Sequence, residues 1–244
     1  MRDACPFGLC DGSGFILDED TLTARDCQCR PQRVAKARSK SLSAVIPRKY
    51  RHVAFERPPI TDLPEPIVRQ VRGYVRKIDE HIRTGQGLWL FGDVGTGKTS
   101  LAMLVSQQAI DAGHSVAIYS LPRLLAEIRD TYEDDAEHSY VQLLDRLARI
   151  DLLHIDDVGA ERTSPWVLEQ LYAIVNARYE EERAVIITTN LERDALAEQI
   201  TERTVSRLEE MCEILPLFGE DRRRQRFDAG GEIKVSQADP YVAP

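Results

Sequence analysis

Leu90-Phe91-Gly92-Asp93-Val94-Gly95-Thr96-Gly97-Lys98-Thr99-Ser100 is the stretch on which the fold turns. Residues 92–99 match G-x-x-x-x-G-K-[ST] in full, between an apolar run at Gly87–Phe91 and a helical pattern that begins near Lys98. Glycines at these positions let successive backbone N–H groups converge on phosphate oxygens, and the helix N-terminus adds its positive end. Lys98 is expected to reach the terminal phosphates of ATP, and the Thr99 hydroxyl to ligate Mg2+. The expected nucleotide contacts are Gly92, Asp93, Val94, Gly95, Thr96, Gly97, Lys98, Thr99 and Ser100.

Downstream, Leu152-Leu153-His154-Ile155-Asp156-Asp157 reads as an apolar strand delivering two carboxylates to its C-terminal end, where open parallel sheets bind ligands. Asp156 is expected to hold the magnesium ion, and Asp157 to orient or deprotonate the attacking water. On its own the pair would read as solvated turn acids; the upstream loop favours the functional reading. His154 reads as a core or interface residue. A further apolar strand ends in Thr188-Thr189-Asn190. Asn190 is expected beside the γ-phosphate, although Asn at a strand end is also ordinary turn chemistry.

Strands are expected at Gly87–Phe91, Val116–Ser120, Leu152–Asp156, Ala184–Thr189 and 213–217, with helices at 98–112, 122–132, 140–148 and 165–181. This alternation predicts an α/β fold in which helices cover both faces of a parallel sheet. The 244 residues, 43% hydrophobic, suffice for one ordinary domain plus an appendage. The expected divisions are a cysteine-bearing element at 1–30, a basic helix and Pro-rich linker at 31–66, the main domain at 67–227 and a disordered tail at 228–244. No apolar run is long enough to span a bilayer and no apolar signal segment opens the chain, so a cytoplasmic, non-membrane protein is expected.

The net charge of −8 argues against blanket coating of nucleic acid. Residues 30–52 nevertheless carry eight Lys or Arg and no acid. That segment reads either as solvated linker or as a contact surface for phosphate or an acidic protein. Of five cysteines, Cys5, Cys10, Cys27 and Cys29 fall within the first thirty residues, while Cys212 reads as a small buried hydrophobe. Four thiolates suit a structural tetrahedral Zn2+. The C-x4-C and C-x-C spacings depart from the regular C-x2-C pair, and unliganded reduced thiols are the alternative.

A phosphate loop, a two-acid strand, a Thr-Thr-Asn strand and an Arg-rich helix follow the order of parts in AAA+ ATPases. From Ile46 to about Arg224 the chain resembles the DnaC/DnaI-type replicative helicase loaders and the related ATPase subunits that assist insertion-sequence transposition. The resemblance is carried by Ile46-Pro47-Arg48-Lys49-Tyr50, by residues 91–99, 151–159 and 187–190, and by Glu202-Arg203-Thr204-Val205-Ser206-Arg207-Leu208. It implies an oligomeric switch in which Arg207 reaches into the neighbouring protomer's site and Arg203 supports it. A later arginine would contact nucleotide in cis, and Arg222, Arg223 and Arg224 compete for that role, with Arg223 favoured by spacing.

The resemblance further implies single-stranded DNA contacts at Tyr132, Ser164 and Trp166, a buried Trp166 being the alternative. Glu133, Asp134, Asp135 and Glu137 follow Tyr132, a departure from a strongly basic groove. The phrase Cys10-Asp11-Gly12-Ser13-Gly14-Phe15-Ile16 with Cys27-Gln28-Cys29-Arg30 resembles the zinc-bearing amino-terminal region of helicase loaders, which docks on the replicative ring helicase. Val34, Leu42, Val45 and Ile46 would add apolar contacts to that surface. The implied function is ATP-dependent loading of the replicative helicase onto single-stranded DNA. The alternatives are a transposition helper ATPase that binds duplex DNA and a transposase, and a P-loop phosphotransferase. No lid-like Arg segment or acceptor motif supports the last.

Overall fold

The computed structural model describes residues 5–18, 23–31, 33–34, 46–133, 139–160 and 164–221. The apolar runs form a parallel sheet of β3 (Gly87–Phe91), β4 (Val116–Ser120), β5 (Leu152–Asp156), β6 (Ala184–Thr189) and β7 (Cys212–Pro216) in the order β4-β5-β6-β3-β7. Central parallel strands are covered on both faces, which is why β3, β5 and β6 read as continuous apolar runs rather than alternating ones. The first four strands coincide with the expected spans, and the fifth starts one residue earlier.

The pleat divides the core in two. Trp89, Leu153, Ile155 and Ile187 face one side and pack with residues of α4 (Leu121–Asp130), α5 (Tyr140–Arg149), α6 (Pro165–Glu180), α7 (Arg193–Ile200) and α8 (Glu202–Met211). Leu88, Leu90, Leu152 and Ile186 face the other, against α1 (Glu65–Arg76), α2 (Ile78–Arg83) and α3 (Lys98–Asp111). Helix α3 buries Leu101, Ala102, Met103, Leu104 and Val105 in succession, a mostly apolar circumference because α1 and α2 cover it from outside. Helix α5 starts with a reciprocal capping box between Ser139 and Gln142.

Residues 46–64, expected as linker, belong to this second core: Ile46, Ile60 and Leu63 are buried there, with Tyr50, Val53 and Phe55 packed against them. Proline punctuation shaped the connector without keeping it off the domain. The buried Arg178 side chain donates to the carbonyls of Leu147, Asp151 and Ala184, tying α6 to the starts of β5 and β6. Ahead of the domain, β1 (Phe15–Asp18) and β2 (Thr23–Asp26) form an antiparallel hairpin. Residues 35–45, most of the expected basic helix including Leu42 and Val45, lie outside the described residues, as do Arg222, Arg223, Arg224 and the 228–244 tail. Among the described residues, no helix is long and apolar enough to cross a membrane.

Candidate functional site: a phosphate loop beside two strand-end acids

The loop between β3 and α3 turns sharply and then enters the helix. Gly97 caps α3 with φ +101°, a left-handed conformation that a side chain would strain. Gly92 lies so close to the segment after β7 that a Cβ would meet the Leu217 carbonyl oxygen at 2.1 Å. That segment braces the loop further: Asp93 N–H donates to the Leu217 carbonyl at 3.1 Å, and Gly219 N–H to the Asp93 carboxylate at 2.9 Å. Phe218 meets Phe91 edge-on, with centroids 5.6 Å apart. The Lys98 side chain is buried and its ammonium donates to the carbonyls of Gly92 at 2.9 Å and Asp93 at 2.6 Å. Lys98, Thr99 and Ser100 form the first turn of α3, so their side chains and N–H groups belong to its positive end.

Strand order brings the remaining parts to the same edge. β6 lies between β3, which carries the loop, and β5, which carries the acids, so Asn190 emerges exposed between them. Thr188, fully buried at the end of β6, donates its hydroxyl to Asp156 Oδ1 at 2.6 Å and accepts the Asp157 N–H at 2.9 Å. The Val158 N–H donates to the Thr188 carbonyl at 2.8 Å. Asp157 is held at φ +58°, uncommon for a residue other than glycine. Two residues before Asp156, the fully buried His154 places Nδ1 3.0 Å from Ser106 Oγ on α3. Burial drives the His154 pKa down to about 3.

Arg203 and Arg207 stand elsewhere. Both guanidinium groups lie over the Tyr172 ring of α6, at 4.6 and 5.0 Å, and Arg207 also lies 5.4 Å from the Tyr179 ring. Tyr179 in turn lines a recess with Thr84, Gly85 and Gln86, at the sheet edge where β3 begins. Arg193 pairs with Glu202 and Glu209, bracing α7 against α8.

Of the expected DNA contacts, Tyr132 is exposed and stacks on Tyr140 with centroids 5.7 Å apart. Trp166 is partly buried against the core and receives the Arg129 guanidinium 4.7 Å from its ring centre. Ser164 caps α6, its hydroxyl oxygen accepting the Val167 N–H at 3.3 Å.

The four amino-terminal sulfurs converge within 4.8 Å of one another. Cys5 and Cys27 are 3.8 Å apart and Cys10 and Cys29 3.5 Å. Zinc–sulfur bonds of about 2.3 Å imply sulfur separations of about 3.8 Å along a tetrahedral edge, so the donor set fits zinc. Burial raises the Cys5 thiol, but backbone N–H groups of Leu9, Phe7 and Cys10 outweigh it and bring it to about 6. Burial and the neighbouring thiols push Cys29 up to about 12.

Thr188, Ser106, Tyr172 and Tyr179 were not among the residues singled out from sequence for the site. Thr188 stood within the Thr-Thr-Asn signal, but its role depends on β6 pairing with β5, which no local pattern announces.

A sequence profile of the IstB-like ATP binding protein family matches residues 18–229, most of the chain. The chain belongs to this family. Among the relatives of this IstB-like protein is the replicative helicase loader DnaC of Escherichia coli K12, 28% identical over 158 residues, or 64% of this chain and 62% of that protein. The chain thus spans less than two thirds of that curated relative. The crystal structure of the DnaC helicase loader superposes with a TM-score of 0.59 at 25% identity, covering 70% of this chain and 99% of the other. AMPPCP-bound DnaA from Aquifex aeolicus shares the fold, with a TM-score of 0.57 at 19% identity over 72% of this chain and 53% of that one. The IstB-like chain therefore has the AAA+ fold, and its relatives fit a DnaC-type helicase loader.

Proposed function

We propose that this chain loads a replicative ring helicase onto single-stranded DNA, with ATP binding and hydrolysis switching its self-assembly and release. The observation that carries this reading is the separation of its cationic groups. Lys98 belongs to the phosphate loop, while Arg207 lies on the rings of Tyr172 and Tyr179, which sit on a different helix from the loop. Such a guanidinium suits a γ-phosphate held by another copy, which makes hydrolysis conditional on assembly.

Within one copy, the loop N–H groups and Lys98 would bind the phosphates of ATP, and Ser100 would contribute from the first turn of α3. Thr99 and Asp156 would hold a magnesium ion, which when bound supplies charge neutralisation at the β- and γ-phosphate oxygens. Asp157, just past the end of β5, would orient the attacking water and accept its proton. Asn190 would report the γ-phosphate from the edge of β6, and Arg203 would support Arg207. Arg223, outside the described residues, is the candidate for a contact with nucleotide in cis.

Cys5, Cys10, Cys27 and Cys29 would hold a structural zinc that organises the region docking on the helicase. Tyr132 and Trp166 would stack bases of single-stranded DNA, with Ser164 beside them.

The test is recovery of the replicative helicase with this protein, with and without residues 1–45, a deletion that stops short of the core residues from Ile46 onward, followed by helicase loading on single-stranded DNA. Full-length protein should bind and load, the truncation should do neither, and binding indifferent to the truncation would remove the docking role. The family description favours one second reading, a transposition helper; preference for duplex over single-stranded DNA would select it.

A further inference from the structure

His154 is a polar ring in an apolar layer. Its register partners on β4 and β6 are Ile118 and Ile186, and it is wholly shielded from solvent. Nδ1 lies 3.0 Å from Ser106 Oγ, and the Ser106 hydroxyl donates to the Ala102 carbonyl at 2.9 Å. Among the described residues Nε2 has no hydrogen-bond partner, and its nearest ionic group is Asp156 Oδ1 at 3.9 Å. A buried polar atom with no partner is costly, so a leucine would serve packing better.

The two tautomers of the ring differ in what they present to Asp156. With the proton on Nδ1, the ring donates to Ser106 and turns a bare lone pair toward a carboxylate. With the proton on Nε2, the Ser106 hydroxyl turns from the Ala102 carbonyl to donate to Nδ1, and an N–H faces Asp156. The carboxylate's charge favours the second. At 3.9 Å this is an orienting electrostatic contact rather than a formed hydrogen bond. It falls on Oδ1, the same oxygen that accepts from Thr188.

We propose that His154, set by Ser106, is a positioning residue that turns Asp156 so that its other carboxylate oxygen serves the cation. The contact joins α3, which carries Lys98 and Thr99, to β5, which carries Asp156, through the core beneath the site. Carboxylate ligands elsewhere are oriented by such outer partners, whose loss typically costs about 10–100-fold in metal affinity. The inference rests on the proposed role of Asp156 as the magnesium carboxylate.

The test is titration of each variant with a fluorescent ATP analogue, in EDTA and in Mg2+, read as the Mg2+-dependent gain in affinity. His154→Leu should keep the affinity measured in EDTA and lose about tenfold of the gain. His154→Gln, whose amide nitrogen can reach the place of Nε2, should restore most of it. His154→Asn, which reaches only toward Ser106, should not. An undiminished gain in His154→Leu overturns the proposal, as does rescue by Asn equal to that by Gln. If His154→Leu fails to fold, Ser106→Ala decides: the gain should fall about threefold, and an unchanged gain overturns the role of Ser106. Asp156→Asn separates the two levels. If it abolishes the gain while His154→Leu does not, only this inference fails; if it leaves the gain intact, the reading of Asp156 fails and this inference with it.

Discussion

Thr188 and Asp156 are joined by a hydroxyl-to-carboxylate hydrogen bond of 2.6 Å, and the same Thr188 hydroxyl accepts the backbone N–H of Asp157 at 2.9 Å. One buried hydroxyl on β6 thereby sets both acids at the end of β5. Thr188→Val keeps the shape, removes the donor and leaves the Asp157 N–H without this acceptor. Unfolding should cost about 1–3 kcal/mol less than for the unmodified chain. ATP turnover should fall about 10–100-fold while nucleotide affinity in EDTA holds, as read by denaturant melts and steady-state hydrolysis. Unaltered turnover would deny Thr188 this part.

Lys98→Ala removes the cation that lies on the Gly92 and Asp93 carbonyls. ATP binding by calorimetry should drop to background and hydrolysis with it, while the fold, read by circular dichroism, persists. Normal binding by this variant would sink the phosphate-loop reading.

Tyr172 lies beneath both Arg203 and Arg207. Arg207→Ala should leave nucleotide binding by the isolated chain intact and lower turnover in the assembled state by about 10³-fold or more. Tyr172→Leu, which only frees the two guanidinium groups, should lower it less. The check is turnover against protein concentration: a variant that loses activity equally at every concentration would argue against action between copies.

Zinc analysis should find about one metal per chain, and Cys27→Ser with Cys29→Ser should lose it, since these two supply half of the sulfur cluster. Chelation should expose residues 1–30 to protease while nucleotide binding by the loop persists. Metal content unaffected by the double substitution would rule out this ligand set.

Tyr132 offers an exposed ring already stacked on Tyr140. Tyr132→Ala should weaken single-stranded DNA binding in the presence of ATP by roughly tenfold, the size of one lost base stack. Fluorescence anisotropy with a labelled oligonucleotide reads this directly, and equal affinities would leave the ring no role in DNA binding.

Most of the fold was legible because its signals are local. Four strand spans follow from predominantly apolar runs, and the loop follows from Gly and Lys spacing between a strand and a helix. The connector at 46–64 misled for the opposite reason: Pro and polar residues mark where a chain turns, and the burial of Ile46, Ile60 and Leu63 depends on what they turn toward.

By itself, then, the sequence determined the phosphate loop, the acid pair and the strand spans, since each is written in neighbouring residues or fixed spacing, whereas the convergence of the four cysteines needed the folded chain. Tertiary structure alone decided that β6 runs between β3 and β5, and therefore that Thr188 grips Asp156, that Asn190 emerges between the loop and the acids, and that His154 faces Ser106. Arg203 and Arg207 came to rest on Tyr172 for the same reason. Strand order is settled by which faces bury best against which helices, a property of the packed whole that periodicity along a single segment does not encode.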